Sequence, residues 1–307
     1  MNWKVIFLLR VGKKATPYLM ITPYFFLYIA FGLFPILFSL VISLTKWDGI
    51  GEMTFIGLKN YTRIFTNDPL FYTSLYNTVL IIVITIPLEI ILGLLLAVFL
   101  KDFFRKSGSV LQLINFLPYI TTPVAIGIIF QILFDWKNGS VNVLLTKMGF
   151  ESVYWLGLPW ASRVVVIIMQ TWTTFGYKMV LFLSGLSTIP EELYESAKID
   201  GAKWLDCFIY ITIPMLKPIM IFVVTTSIIN GFRLFDEPQL LFQSASQPIG
   251  GPDHAVLTVV MRYYDVAFHS FDFGYGSAIA YSLFMVIAII SFISMKFMNR
   301  GEEESSH

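Results

Sequence analysis

The chain of 307 residues carries 21 Lys and Arg against 20 Asp and Glu, and it is 56% hydrophobic but only 13% charged. Soluble domains carry about 25% charged residues, so this deficit, with a mean hydropathy of +0.73, places most of the chain in lipid. The net charge of +1 excludes a nucleic-acid binder; the single Cys207 excludes a disulfide framework, and His254, His269 and His307 are too scattered for a metal centre.

In chain order, Lys4, Arg10, Lys13 and Lys14 precede an apolar run over residues 18–44. That run exceeds the roughly 7–15 residues of a signal core and no small-residue cleavage site follows it, so it reads as a retained first span. Further stretches of membrane-crossing length fall at 76–100, 112–134, 164–187, 218–240 and 275–297. Pro23, Pro35, Pro87, Pro118 and Pro123 lie in or beside these runs, where neighbouring helices and water can satisfy the freed backbone groups. The expected fold class is therefore an all-α membrane protein with six transmembrane helices. Placing the N-terminus in the cytoplasm puts Lys101, Arg105, Lys106, Lys198, Lys203, Lys217, Lys296 and Arg300 on that side with the N-terminal four. Fewer basic residues then fall outside, which predicts that both termini are cytoplasmic. No internal repeat and no soluble domain is visible.

Between the fourth and fifth runs the pattern changes. Residues 189–218 read IPEELYESAKIDGAKWLDCFIYITIPMLKP. Thr188 followed by Glu191 suggests a capping box, and Pro190 suits a first helical turn. Leu193, Ala197, Trp204, Phe208 and Ile211 lie near one helical stripe, interrupted at Asp200-Gly201. This predicts a short helix, a tight turn and a second amphipathic helix ending at Pro214. A hairpin lying on the inner membrane surface satisfies that pattern. The spacing of Glu195-Ser196-Ala197, Gly201 and Ile211-Thr212-Ile213-Pro214 also resembles the EAA signature of the permease subunits of binding-protein-dependent ABC importers. By that resemblance the segment is a coupling helix that docks into a cleft on a cytoplasmic ATPase. Glu195, Ser196, Ala197, Asp200 and Gly201 would form the joint, with Glu195 meeting a basic group and Gly201 permitting the turn.

Other stretches resemble the maltose-type carbohydrate permeases of that family. They are SLTKWDG and FIGLKNYTRIFTNDPLFYTSLYNT after the first run, IGGPDHA at residues 249–255, and FGYGSAIAYSLF at the start of the last run. The resemblance implies a multi-pass subunit of a bacterial cell membrane. It divides the chain into a cytoplasmic segment (1–17), a first transmembrane helix and outer loop (18–71), a type I importer transmembrane domain (72–297) and a cytoplasmic tail (298–307). The implied partners are a second permease in a heterodimer, two ATPase subunits, an extracytoplasmic solute-binding protein and the lipid bilayer. No cofactor is expected on this chain, ATP and Mg belonging to the ATPase.

Polar groups at membrane depth mark candidate pathways. Gln170, Thr174 and Tyr177 share one face of the fourth run, and Thr226, Asn230 and Arg233 share one face of the fifth, with Ser227 alongside. Aligning on the EAA segment carries Gln170, Trp172, Thr174, Thr226 and Ser227 onto the sugar-lining positions of maltose-type permeases. Packing glue between helices is the competing reading for Ser, Thr and Asn. Lys178 and Glu89 are further intramembrane charges, whose partners could lie in this chain or in a second permease. The chain lacks a G-x-x-x-x-G-K-[ST] phosphate loop, so an ATPase must be a separate subunit and this chain is expected not to be an enzyme. The expected function is ATP-driven import of a sugar or oligosaccharide by alternating access. Import of glycerol phosphate or another small polar solute is the alternative, because an arginine such as Arg233 suits a phosphate.

Overall fold

The computed structural model describes residues 16–103, 108–242 and 248–303. Lys4, Arg10, Lys13, Lys14, Arg105, Lys106 and His307 lie outside them, as do most of the expected N-terminal segment and part of the tail. Four described helical stretches are long and apolar enough to cross a membrane: Pro17–Ser43, Pro69–Asp102, Pro159–Leu186 and Phe273–Ser294. Two bent helix pairs raise the number to six if each pair is one span.

The first stretch comprises α1 (Thr16–Tyr28), a π-helical turn and α2 (Phe34–Ser43). It is apolar on every side and almost wholly exposed, as a helix surrounded by lipid must be. Its inner contact is with α15 (Phe273–Glu303), where the Tyr281 hydroxyl donates to the carbonyl of Ile36. A short hairpin, β1 (Thr45–Lys46) and β2 (Thr54–Phe55), and α3 (Lys59–Asn67) follow, α3 burying Ile64 in the same core as Ile82 and Ile86.

The 35-residue α4 (Pro69–Phe103) is the axis of the molecule. Three apolar clusters are threaded along it, through Ile82 and Ile86, through Ile81, and through Leu94, Ala97, Val98 and Leu100. Its main partner is α8 (Pro159–Leu186).

The run predicted at 112–134 is two helices, α5 (Gly108–Ile120) and α6 (Pro123–Leu133), bent by 97°. Pro123 is the cause: the residue before a proline is pushed out of the helical region, and Thr122 sits at φ −64°, ψ 140°. A small helix, α7 (Ser140–Lys147), lies in the loop before α8. Beyond α8 come α9 (Glu191–Ile199), α10 (Trp204–Cys207), a π turn, α11 (Ile213–Met215) and α12 (Lys217–Phe232), the last turning by 65° from the helix before it. The run predicted at 218–240 also differs from the structure, since α12 stops at Phe232 and α13 (Asp236–Leu241) folds back against α6. The Gln131 amide holds that return by donating to the carbonyls of Leu240 and Leu241 at 3.0 and 3.1 Å.

The Gly-Gly-Pro loop leads into α14 (Val259–Tyr264) and α15. Gly250 and Gly251 adopt φ of 76° and 73°, values that favour glycine. Asn77 of α4 donates to the carbonyls of His254 and Leu257, and Arg163 of α8 donates to Ala255 and to Asn77.

Asp68 closes the same side. It accepts from the Tyr275 hydroxyl at 2.8 Å and from Arg262 at 3.0 Å, and its side chain is 4% exposed. Burial pushes this carboxyl up, but the Tyr275 hydroxyl and the Arg262 guanidinium outweigh burial and hold it below the usual carboxylate range. A depressed carboxyl stabilises the fold above its unfolded-state value and loses that contribution as pH falls through the folded-state value. The contribution is thus complete at neutral pH and fades below about pH 4. Asp68→Asn is expected to cost about 3 kcal/mol and to remove the acid-side loss of thermal stability. An unchanged melting curve between pH 3 and 7 would contradict this account.

Candidate functional sites: a polar cavity and an exposed helical hairpin

A cavity of about 400 Å³ opens between α4, the α5–α6 bend, α8 and the α12–α13 turn. Gln170, Thr174 and Tyr177 face it from α8, as the i, i+4, i+7 spacing requires, and Ser227, Asn230 and Arg233 face it from the other side. Trp172 and Thr226 are not in its lining. The Trp172 ring instead packs against Phe130 with centroids 5.8 Å apart, and the Thr226 hydroxyl donates to the carbonyl of Phe222 at 2.8 Å.

Two lining atoms, Gln170 Oε1 and Ser227 Oγ, are buried with no hydrogen-bond partner among the described residues. Buried polar atoms are normally satisfied, so these two, like Thr171 Oγ1, Thr225 Oγ1 and Ser291 Oγ away from the cavity, lack a partner that water, a solute hydroxyl or a small side-chain movement would supply. Tyr177 stacks on Tyr119 with ring centroids 4.5 Å apart, supplying a flat apolar wall. Tyr119, Thr121, Thr85, Asp236 and Glu237 add to the polar lining and were not singled out from sequence. The spacing of Thr85 and Glu89, one helical turn apart, was a readable signal; the others become neighbours only through the bends at Pro123 and Arg233.

Glu89 and Lys178 find each other within this chain. Their Nζ–Oε2 separation is 3.5 Å and their side chains are only 4% and 5% exposed. Gly93, one turn beyond Glu89, makes this approach feasible, for a Cβ there would stand 2.9 Å from Cβ of Lys178.

The hairpin between α8 and α12 is the second site. Its turn is a Schellman closure: Ala202 N–H donates to Ala197 O at 2.9 Å and Gly201 N–H to Lys198 O at 3.1 Å. Gly201 takes φ +82°, the left-handed value this motif needs. Glu195, Ser196, Asp200 and Gly201 are exposed and Ala197 is half-buried. The predicted Thr188–Glu191 capping box does not form. The N-cap is Pro190, and the Thr188 hydroxyl turns back to Gly185 O at 2.8 Å. The buried stripe also differs from expectation: Tyr194 packs on the bundle with Phe208 and Ile211, while Leu193 and Trp204 are exposed. The reason is the turn, which breaks the helical phase between the two halves.

Two contacts tie this hairpin to α4: Lys101 lies over the Tyr194 ring and Trp204 Nε1 donates to Asp102 at 3.0 Å. Lys101 also donates to Leu186 O at 3.0 Å, joining α4 to the end of α8, and the Tyr194 and Thr212 hydroxyls, 2.9 Å apart, join the two halves of the hairpin.

Long apolar helices around a polar cavity, with one exposed polar hairpin between them, define a helical membrane protein built around an internal compartment. Residues 89–302 match the family described as binding-protein-dependent transport system inner membrane component, and the chain belongs to that family. It is 36% identical to the arabinooligosaccharides transport system permease protein AraP of Bacillus subtilis (strain 168), over 96% of this chain and 91% of that one. It is 35% identical to the lactose transport system permease protein LacF of Rhizobium radiobacter, over 90% and 91% of the two chains. A solved bacterial ABC transporter involved in import of the acidic polysaccharide alginate shares the fold. Its TM-score is 0.82 at 19% identity, covering 94% of this chain and 97% of that one.

Proposed function

We propose that this chain is the permease subunit of an ATP-driven importer that carries a sugar or oligosaccharide from an extracytoplasmic binding protein into a bacterial cytoplasm. The observation that carries the solute pathway is the cavity with the unsatisfied Gln170 and Ser227 oxygens beside an aromatic wall. Hydroxyl-rich rings use such acceptors and flat apolar faces. Relatives named for arabinooligosaccharides, lactose and trehalose/maltose support carbohydrate over glycerol phosphate.

In this reading each bent helix pair is one span, giving six spans with both termini cytoplasmic and the hairpin on the cytoplasmic side. Glu195, Ser196, Ala197, Asp200 and Gly201 dock on one of two ATPase subunits, which bind the ATP and Mg. ATP binding draws the ATPases together, and the hairpin passes the movement to α4 and α8 through Lys101, Asp102 and Tyr194. A second permease supplies the other wall of the path, so the substrate meets Gln170, Thr174, Tyr177, Ser227, Asn230 and Arg233 from this side. Trp172 and Thr226, on other faces in this conformation, join the path if the helices rotate during transport. The domain division at residues 17, 71 and 297 belongs to the same reading.

Gln170→Leu and Asn230→Ala are expected to lower uptake of arabinotriose, lactose or maltose, whichever the intact transporter takes up, by about tenfold. Each change removes one polar contact in a dry site, and assembly with the partner subunits stays normal. Unchanged uptake in both variants would take this cavity off the path.

A further inference from the structure

We infer that the Glu89–Lys178 pair is a selectivity device: Glu89 occupies the ammonium of Lys178 so that the cavity favours uncharged saccharides over anionic ones. The inference rests on the sugar-pathway reading of this cavity and narrows it to neutral substrates.

Four observations support it. Both side chains line the cavity, yet they are directed at each other, 3.5 Å apart and almost fully buried. The close approach at Gly93 fixes the seam between α4 and α8, and with it the stem of Lys178. The buried polar atoms left for a solute, Gln170 Oε1 and Ser227 Oγ, are both neutral. The remaining lining charges are Arg233, Asp236 and Glu237, so acidic groups outnumber basic ones once the pair is counted as neutral. An anionic solute would therefore meet no surplus of positive charge.

Stability alone does not explain the pair. Apolar residues of similar volume commonly replace a buried ion pair at no cost, whereas charges at membrane depth are characteristic of solute and ion pathways. Breaking the pair from either side uncovers a charge of known sign, which makes the device testable in both directions.

The experiment uses the transporter assembled with its partner subunits in lipid nanodiscs. Binding of arabinobiose, digalacturonate and chitosan dimer, which are neutral, anionic and cationic, is measured by calorimetry. The native complex is expected to bind arabinobiose better than digalacturonate. Glu89→Gln should raise affinity for digalacturonate about tenfold, the gain of one charge-assisted contact. Lys178→Met should do the same for chitosan dimer. The exchanged pair Glu89→Lys with Lys178→Glu should restore the native ranking, and it also serves if a single variant fails to assemble. A native complex that binds digalacturonate as well as arabinobiose overturns the inference, as does an exchanged pair that ranks the probes differently from the native complex. Single variants that assemble without gaining affinity for the probe whose charge is opposite to the one uncovered overturn it too. Gains that follow the uncovered charge in a complex that binds no neutral sugar would uphold the pairing role and sink the neutral-sugar reading instead.

Discussion

Gly176→Ala is expected to destabilise the bundle by about 3 kcal/mol. A Cβ at Gly176 would overlap the backbone carbonyl of Asn115 on α5 and press on the amide of Phe116. Backbone cannot swing aside as a side-chain tip can, so α5 and α8 must separate. Their separation would also pull Tyr119 from Tyr177, two rings now stacked at 4.5 Å. Small residues at such crossings are how membrane helices come close. Gly108→Ala is the control, because its added Cβ would meet only the Gln112 amide at 3.8 Å. Thermal unfolding of the purified complex should drop sharply for the first variant and stay within error for the second. Equal melting temperatures would mean that the α5–α8 crossing is looser than the structure has it.

The second large effect is expected on coupling rather than stability. Glu195 is exposed, and an exposed truncation normally changes stability by less than about 0.5 kcal/mol. Gly201 has open space around its Cα, but its φ of +82° makes any side chain strained there, at about 1–2 kcal/mol. That strain stays in the hairpin turn. Glu195→Ala and Gly201→Val should therefore fold and insert normally while ATPase docking is impaired or binding-protein-stimulated ATP hydrolysis falls at least tenfold. Full stimulation in both variants would remove the hairpin from the coupling path.

Much of this was legible in the sequence because lipid simplifies the code. Runs at 18–44, 76–100, 164–187 and 275–297 needed only length and hydropathy, and the hairpin turn followed from Gly201 and its flanking pattern. Where a proline or a chain reversal intervened, hydropathy averaged over the break. Thr122 before Pro123, and the stop at Phe232, both sit inside runs that look continuous. The lining residues that escaped notice follow from those bends, since Tyr119, Asp236 and Glu237 reach the cavity only after the chain has turned. Glu89 and Lys178 stood out as charges, but their pairing depends on a helix crossing at Gly93 that no spacing rule encodes.

The length of α4 has a mechanical consequence. Thirty-five residues make a rod about 50 Å long. Near one end Asn77 grips the Gly-Gly-Pro loop, near the other Lys101 lies over Tyr194 and Asp102 accepts from Trp204 of the hairpin, and Glu89 sits between them. A rod held at both ends and pinned near its middle is a lever with arms of about 20 Å. Tilting it by about 10° would carry its ends some 3 to 4 Å in opposite directions. The Glu89–Lys178 contact would then be the fulcrum, the point of least travel, where a solute can stay bound while the two ends of the passage change places.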